Sequence, residues 1–253
     1  MKPDIYEYIF KRKSIRNYNQ NPLDTNTLKK ISEYMEDLKP LYNDISIDLK
    51  IISPAEINAR FQKKAPHYIA IFSEKKEGYL TNVGFMMQQM DLFLSSQGIG
   101  CCWQGIPKPK PDVKKSSSLE FIILMAFGNP DEAIYREISE FKRKSLDKIS
   151  NFNCNPEKRI LKLLESSRLA PSAINSQPWF FSCDSNIIHL YCIKPNFIKS
   201  IIMKKWNQID VGICLYHLCL AAQHKGYEVK IEVDKTRVEE IKRYDYVTSI
   251  HLN

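Results

Sequence analysis

The chain predicts an α+β fold, and three observations carry that prediction. Apolar residues recur at helical spacing in six stretches and alternate or cluster in seven segments of strand length. These helices and strands follow one another without the regular βαβ rhythm of a doubly wound sheet. The chain has 253 residues, 43% hydrophobic and 26% charged. That is long enough for a core without disulfide or metal support, and ordinary enough to exclude a disordered or fibrous chain.

In chain order, the spacing predicts helices over 5–11, 27–36, 55–63, 81–97, 157–168 and 210–225. Strands are expected over 47–52, 68–72, 121–127, 179–183, 187–193, 229–233 and 246–252. Around 145–156 (SLDKISNFNCNP) the pattern lapses into polar residues with a closing Pro, which suits a connection. The expected halves are therefore 1–150 and 151–253. An internal repeat supports two halves. Residues 82–98, NVGFMMQQMDLFLSSQG, align without a gap on 210–226, DVGICLYHLCLAAQHKG. Val, Gly, Leu and the closing Gly coincide, each stretch reads as a long apolar helix with a Gly stop, and a strand follows each. Two buried helices of similar composition are the alternative.

Thirty-seven basic residues against 29 acidic give a net charge of +8. This favours anionic partners without choosing among them. Nucleic acid is one such partner, but the chain has no nucleic-acid motif, basic heptad region or Cys/His finger. A phosphorylated cofactor answers the same charge. The longest strand-like apolar run, 121–127, is far below the ~20 residues that span a bilayer. The start, MKPDIYEYIF, lacks a hydrophobic signal core. Seven cysteines without zinc-finger spacing suit a reducing cytoplasm. No membrane attachment is expected.

Two stretches carry candidate chemistry. Lys11, Arg12, Lys13, Ser14, Ile15, Arg16, Asn17 and Tyr18 follow an amphipathic helix. Forked Arg donors and a short Ser hydroxyl can surround a phosphate dianion. A solvated basic helix end, opposing the helix dipole, gives the same pattern. The second stretch, 167–179, reads SRLAPSAINSQPW. A Pro stops a helix, and small residues (Ala170, Ser172, Ala173) would let a flat ring approach the backbone. Asn175 and Gln177 each offer a donor and an acceptor to a ligand edge. An ordinary helix-to-strand loop is the plainer alternative. Other residues carry less. Cys101 and Cys102 read as small apolar fillers, Met86, Met87 and Met90 as core. The five histidines lack metal-ligand spacing, and no metal is expected. Gly98-Ile99-Gly100 lacks the rest of a dinucleotide fingerprint.

RKSIRNY resembles the phosphate-binding signature of FMN-dependent nitroreductases, and APSAINSQPW resembles that family's flavin-contacting loop. Residues 98–105, GIGCCWQG, are similar to the family's loop beside the flavin ring. FGNP followed by Lys142-Arg143-Lys144-Ser145-Leu146 resembles its basic tail, which returns to the phosphate. The resemblance implies a nitroreductase-like α+β fold with mixed, mainly antiparallel sheets flanked by helices. It also implies FMN as cofactor. Arg12, Lys13, Ser14 and Arg16 would take the phosphate and the pyrimidine end of the ring. Lys142 and Lys144 would complete the phosphate cradle. Pro171, Ser172, Ala173 and Asn175 would line the ring, with Trp103, Gln104 and Gly105 beside it. The chemistry would sit on FMN, with no catalytic side chain required.

One departure matters. In the first half, 35–49 (MEDLKPLYNDISIDL) lacks the loop, and in the second half 150–158 (SNFNCNPEK) lacks the basic start. This looks like the family branch in which two nitroreductase-like halves are fused in one chain. That branch implies two pseudo-symmetric halves, one FMN per chain and a pseudo-dimeric monomer open to further self-association. The implied activity is electron transfer from NAD(P)H through FMN to a nitroaromatic, quinone or similar small acceptor. A flavin-sequestering protein with little turnover is the alternative.

Overall fold

The computed structural model describes residues 4–58, 64–152, 156–194, 200–234 and 238–253. Contacts divide the chain into two units, Met1–Ile138 and Ser139–Asn253.

In the first unit α1 (Thr25–Glu36) starts at Asp24, whose carboxylate accepts the Thr27 N–H at 3.0 Å and closes the exposed helix end. Strands β1 (Ile47–Ile52) and β3 (His67–Ser73) pair antiparallel, and a two-residue β2 (Ile57–Asn58) lies between them in the chain. Then come α2 (Tyr79–Ser96), β4 (Gly100–Gln104), β5 (Lys108–Pro109), α3 (Pro111–Lys115) and β6 (Glu120–Gly128). The sheet runs β1-β3-β6-β4, antiparallel throughout, and every residue of β3 is buried. α2 is buried from Leu80 to Ser95, so it is a core helix and not a surface one. Its amides pin the loop between α1 and β1. Asn82 Oδ1 accepts the N–H groups of Leu41 (2.7 Å) and Tyr42 (3.1 Å), and Gln89 bonds both backbone groups of Lys39.

The second unit contains β7 (Ser150–Phe152), α4 (Lys158–Arg168), β8 (Trp179–Asp184), β9 (Ile187–Ile193), α5 (Ser200–His224), β10 (Val229–Glu232) and β11 (Tyr244–Leu252). The sheet runs β10-β11-β9-β8-β7, with only the β7–β8 pair parallel. Leaving aside β7 in the second unit and β2, β5 and α3 in the first, both units share one plan: helix, two strands, long helix, two strands, the last strand between the second and third.

The long helices also end alike. Gly98 (φ 74°) and Gly226 (φ 86°) both take the left-handed turn that L side chains avoid. The Ile99 N–H bonds the Leu94 carbonyl as the Tyr227 N–H bonds that of Ala222, and Gly98 to Ser95 matches Gly226 to Gln223. Each pair sits at the offset of the sequence repeat.

The helix expected over 55–63 is not formed where it is described. Pro54–Glu56 make one short turn, and Ile57–Asn58 pair with β5; residues 59–63 lie outside the described residues. Pro54 opens the turn, and the pairing with β5 takes the backbone groups a longer helix would need. Residues 100–104, expected as a loop, form β4 against β6. Met86, Met87, Met90, Cys101 and Cys102 are core.

Candidate functional site

In the first unit the basic stretch is an extended segment lying on β4. The Ile15 N–H donates to the Cys101 carbonyl at 2.9 Å. Gly100 makes this approach possible, because a Cβ there would lie 2.8 Å from Ile15. Arg12, Ile15 and Tyr18 point inward, and Arg16 and Asn17 are exposed, with Lys13 and Ser14 between these extremes. Tyr18 ties the turn by donating to the Ile15 carbonyl at 2.7 Å.

Arg12 is 1% exposed, and its Nε lies 2.8 Å from Oδ1 of Asp91 on α2, which is fully buried. The N–H is not aimed along this contact, so the attraction is ionic more than a formed hydrogen bond. Burial pushes the Asp91 carboxyl up, and the Arg12 guanidinium pulls it back. The other arm of Arg12 donates to Ser14 Oγ at 3.2 Å. Arg12 thus holds the segment from inside and leaves Lys13, Ser14 and Arg16 outward. Glu132 braces the segment from the opposite side. Its Oε1 accepts the N–H groups of Arg16 (2.8 Å) and Asn17 (3.1 Å), and its Oε2 lies 3.0 Å from Lys13 Nζ. Burial raises the Glu132 pKa, but these donors outweigh it and hold the group ionised below the usual range. Trp103 is half-buried and Gln104 buried on β4, and Gly105 is exposed just beyond it.

In the second unit the 171–177 loop and the 142–144 segment form one hydrogen-bonded platform. Asn175 Oδ1 accepts from Arg143 at 2.8 Å, and its Nδ2 donates to the Lys142 carbonyl at 2.8 Å. Arg143 also reaches the Leu169 carbonyl at 3.2 Å. Lys144 donates through Nζ to the carbonyls of Ser176 (2.8 Å) and Gln177 (3.0 Å), and through its N–H to Gln177 Oε1 (2.7 Å). Burial pushes the Lys144 pKa down. Ser172 Oγ accepts the Gln177 N–H at 3.0 Å, Pro171 is buried, and Ala173 is half-buried.

The backbone of this loop is strained. Ile174, Asn175 and Gln177 have φ of 49°, 57° and 49°. For the β-branched Ile174, 81% exposed, this region costs of order 1–3 kcal/mol. Below the loop, the Asp210 carboxylate of α5 accepts the Ala173 N–H through both oxygens, at 3.0 and 3.1 Å.

The structure therefore keeps Lys13, Ser14 and Arg16 together in one unit, and Lys142, Lys144, Ser172, Ala173 and Asn175 together in the other. Three residues that matter here were missed in the sequence, Asp91, Glu132 and Asp210, and Arg143 was read only as part of the basic tail. Asp91 had a signal, a lone acid in an apolar helix that must find a cation. Asp210 had one too, standing opposite Asn82 in the repeat. Glu132 had none.

A segment of outward cations on a buried ionic strut, and a strained small-residue loop, stand on two α+β units of one plan. That fold is the nitroreductase fold. A "putative nitroreductase" of Thermotoga maritima is similar over 100% of this chain and 95% of its own, with a TM-score of 0.69 and 23% identity. An FMN-dependent nitroreductase of Clostridium difficile matches 61% of this chain and 100% of its own, at a TM-score of 0.45 and 17% identity. A nitroreductase with bound FMN from Desulfitobacterium hafniense matches 60% and 99%, at 0.44 and 13%. A search of curated proteins found no match. The chain belongs to the family described as "Putative TM nitroreductase", whose model matches residues 4–222. Among the described residues, no helix is long and apolar enough to cross a membrane.

Proposed function

We infer that the protein is an FMN-dependent oxidoreductase that takes electrons from NAD(P)H and passes them to a nitroaromatic, quinone or similar small acceptor. The observation that carries this reading is the basic segment. Arg12, Ile15 and Tyr18 are fixed inside, and exposed Arg16 stands with half-buried Lys13 and Ser14 as a preorganised set of donors, Lys13 braced by Glu132. Such a donor set fits a single phosphate dianion. FMN carries one such phosphate, and no glycine-rich dinucleotide loop is present in the sequence. The donors of this chain thus fit the cofactor.

Lys13, Ser14 and Arg16 would hold the phosphate and the pyrimidine end, and Arg12 would fix their directions from within. Pro171, Ser172 and Ala173 would face the ring, with Asn175, Lys142 and Lys144 clamping the loop that carries them. Trp103, Gln104 and Gly105 would run beside it. FMN, when bound, supplies the hydride chemistry; the protein binds it, orients it and sets its electrostatics.

The shared plan, the matched helix ends and the Asn82–Asp210 equivalence support an internal duplication, with halves near 1–150 and 151–253. One FMN per chain follows, because the basic segment occurs once and the strained loop once. Seven cysteines without zinc-finger spacing suit a reducing cytoplasm as the compartment.

The test is a spectrum followed by an anaerobic titration. Freshly purified protein should show a flavin band near ~450 nm, release FMN on heating at one per chain, bleach with NADH or NADPH, and recover with a quinone. Recovery of FAD, or of no flavin after incubation with FMN, would overturn the cofactor. Bound FMN that NAD(P)H does not bleach would favour the sequestering alternative.

A further inference from the structure

We propose that Asp210 is the positioning residue of the 171–177 loop, and that the loop's hold on a flavin ring is set by whether this carboxyl carries its proton. The flavin half of this statement rests on the function proposed above; the loop half does not.

The geometry comes first. Asp210 is 4% exposed, on α5, with both oxygens on the Ala173 N–H and the Ser176 hydroxyl also bearing on it. Ala173 immediately precedes the left-handed residues Ile174, Asn175 and Gln177. A loop with three such residues persists only where its surroundings over-determine it. Asp210 is the support beneath it.

The other half of the chain shows what the support needs. Asn82 stands at the repeat position of Asp210, on the equivalent helix, and likewise accepts backbone N–H groups from the loop between the first helix and the first strand. A neutral amide oxygen therefore suffices for the mechanical task. Where the loop is strained and carries the small residues suited to a ring, the same slot holds an acid. What an acid adds to an amide is a proton that can leave.

The surroundings let that proton matter. Burial pushes Asp210 up to about 8, against the Ala173 N–H and the Ser176 hydroxyl. The thiols facing it, Cys192 of β9 and Cys214 one turn along α5, are themselves pushed up, Cys192 to about 12, and stay neutral below that. Lys144, a cation of the neighbouring 142–144 segment, has its ammonium engaged by the Ser176 and Gln177 carbonyls.

The direction follows by linkage. With the loop closed, Asp210 releases its proton near pH 8; with the loop lifted, water reaches the carboxyl and its pKa returns to about 4. Between these values ionisation favours the lifted loop, about tenfold per pH unit at most, and above pH 8 the effect levels off.

The experiment is amide exchange on the full chain without flavin, from pH 5.5 to 9, reading Ala173 against Leu215 in the α5 core, each corrected for its intrinsic rate. In the wild type, Ala173 protection should fall several-fold to about tenfold per unit up to pH 8, while Leu215 holds. Asp210→Asn should lose the slope and be the better protected already at pH 5.5, by up to about 30-fold, because the wild type has by then passed about 1.5 pH units above the lifted-loop value. Asp210→Ala should lose at least tenfold protection at every pH. A wild-type slope no steeper than that of Asp210→Asn, or full protection in Asp210→Ala, would overturn the proposal. In a second arm, FMN affinity of the wild type should weaken relative to Asp210→Asn between pH 6 and 8; the ratio cancels the titration of FMN itself. An unchanging ratio refutes the flavin half. If neither protein binds FMN, the proposed function fails, and the exchange arm still decides Asp210.

Discussion

The Arg12–Asp91 pair offers the sharpest test of how the basic segment is held. Both side chains are dry, at 1% and 0% exposure, so no solvent screening discounts their energetics. Replacing Asp91 with Ala leaves a guanidinium buried without its countercharge, and breaking one side of such a pair costs about 3–5 kcal/mol. At roughly 3 °C per kcal/mol for a unit of this size, the melting transition of the first unit should drop by about 9–15 °C. Asp91→Asn should fall in between, because the amide still offers an oxygen but no charge. The double variant Arg12→Met/Asp91→Leu should recover most of the loss, since apolar groups of similar volume replace a desolvated pair at little cost or a gain.

Stability and function should then part company. The double variant also removes the Arg12 donor to Ser14. A protein as stable as the wild type should therefore bind FMN at least several-fold more weakly. Thermal unfolding followed by circular dichroism gives the first quantity, and quenching of free FMN fluorescence the second. The two units can melt separately, so the transitions are fitted individually. A loss under ~1 kcal/mol in Asp91→Ala would mean that water reaches the pair. Undiminished FMN binding by the double variant would mean that Arg12 does not set the direction of its neighbours.

Two further outcomes check the loops. Asn175→Ala removes the bonds to Arg143 and Lys142 and places a Cβ residue without a polar side chain at φ 57°, so a loss of about 1–2 kcal/mol is expected in thermal melts. Asn175→Gly keeps the conformation but not the bonds; if it is no better than Ala, backbone strain plays no part. Gly100→Ala forces a Cβ to within 2.8 Å of Ile15, and should cost about 1–3 kcal/mol and loosen FMN. A silent substitution there would show that the basic segment does not rest on β4.

Much of the fold was legible because long periodic stretches leave little choice. The α2 stretch is apolar on every side and can only be core, and β3 and β6 are short runs of β-branched and aromatic residues. The short pieces were not legible. GCCWQ forms β4 because β6 offers it an edge, a tertiary reason with no local signature. IN at 57–58 becomes a strand for the same kind of reason. Within the basic motif, sequence alone marks four cations and cannot say which one faces inward. Arg12 turns in because Asp91 lies beneath it, 79 residues along the chain. Likewise the amides of Asn175 and Gln177 read as free ligands for a ring edge, but Arg143, Lys142 and Lys144 occupy them.

The repeat gives these particulars a common cause. In both units the long helix carries, at the same position, an Asx side chain that receives backbone N–H groups from the loop before the first strand. In the first unit that loop (LKPLY around residue 40) is also gripped by Gln89 and has no left-handed residue among those at positive φ. The second loop has three, and its support is ionisable. A scaffold that doubles can let one copy of a loop relax into a neutral, well-braced connection while the other keeps its strain, since strain at a loop survives only while a function holds it there. On that argument the difference between Asn82 and Asp210 is not drift between two equal positions. On the function proposed above, it would mark the loop that binds the ring.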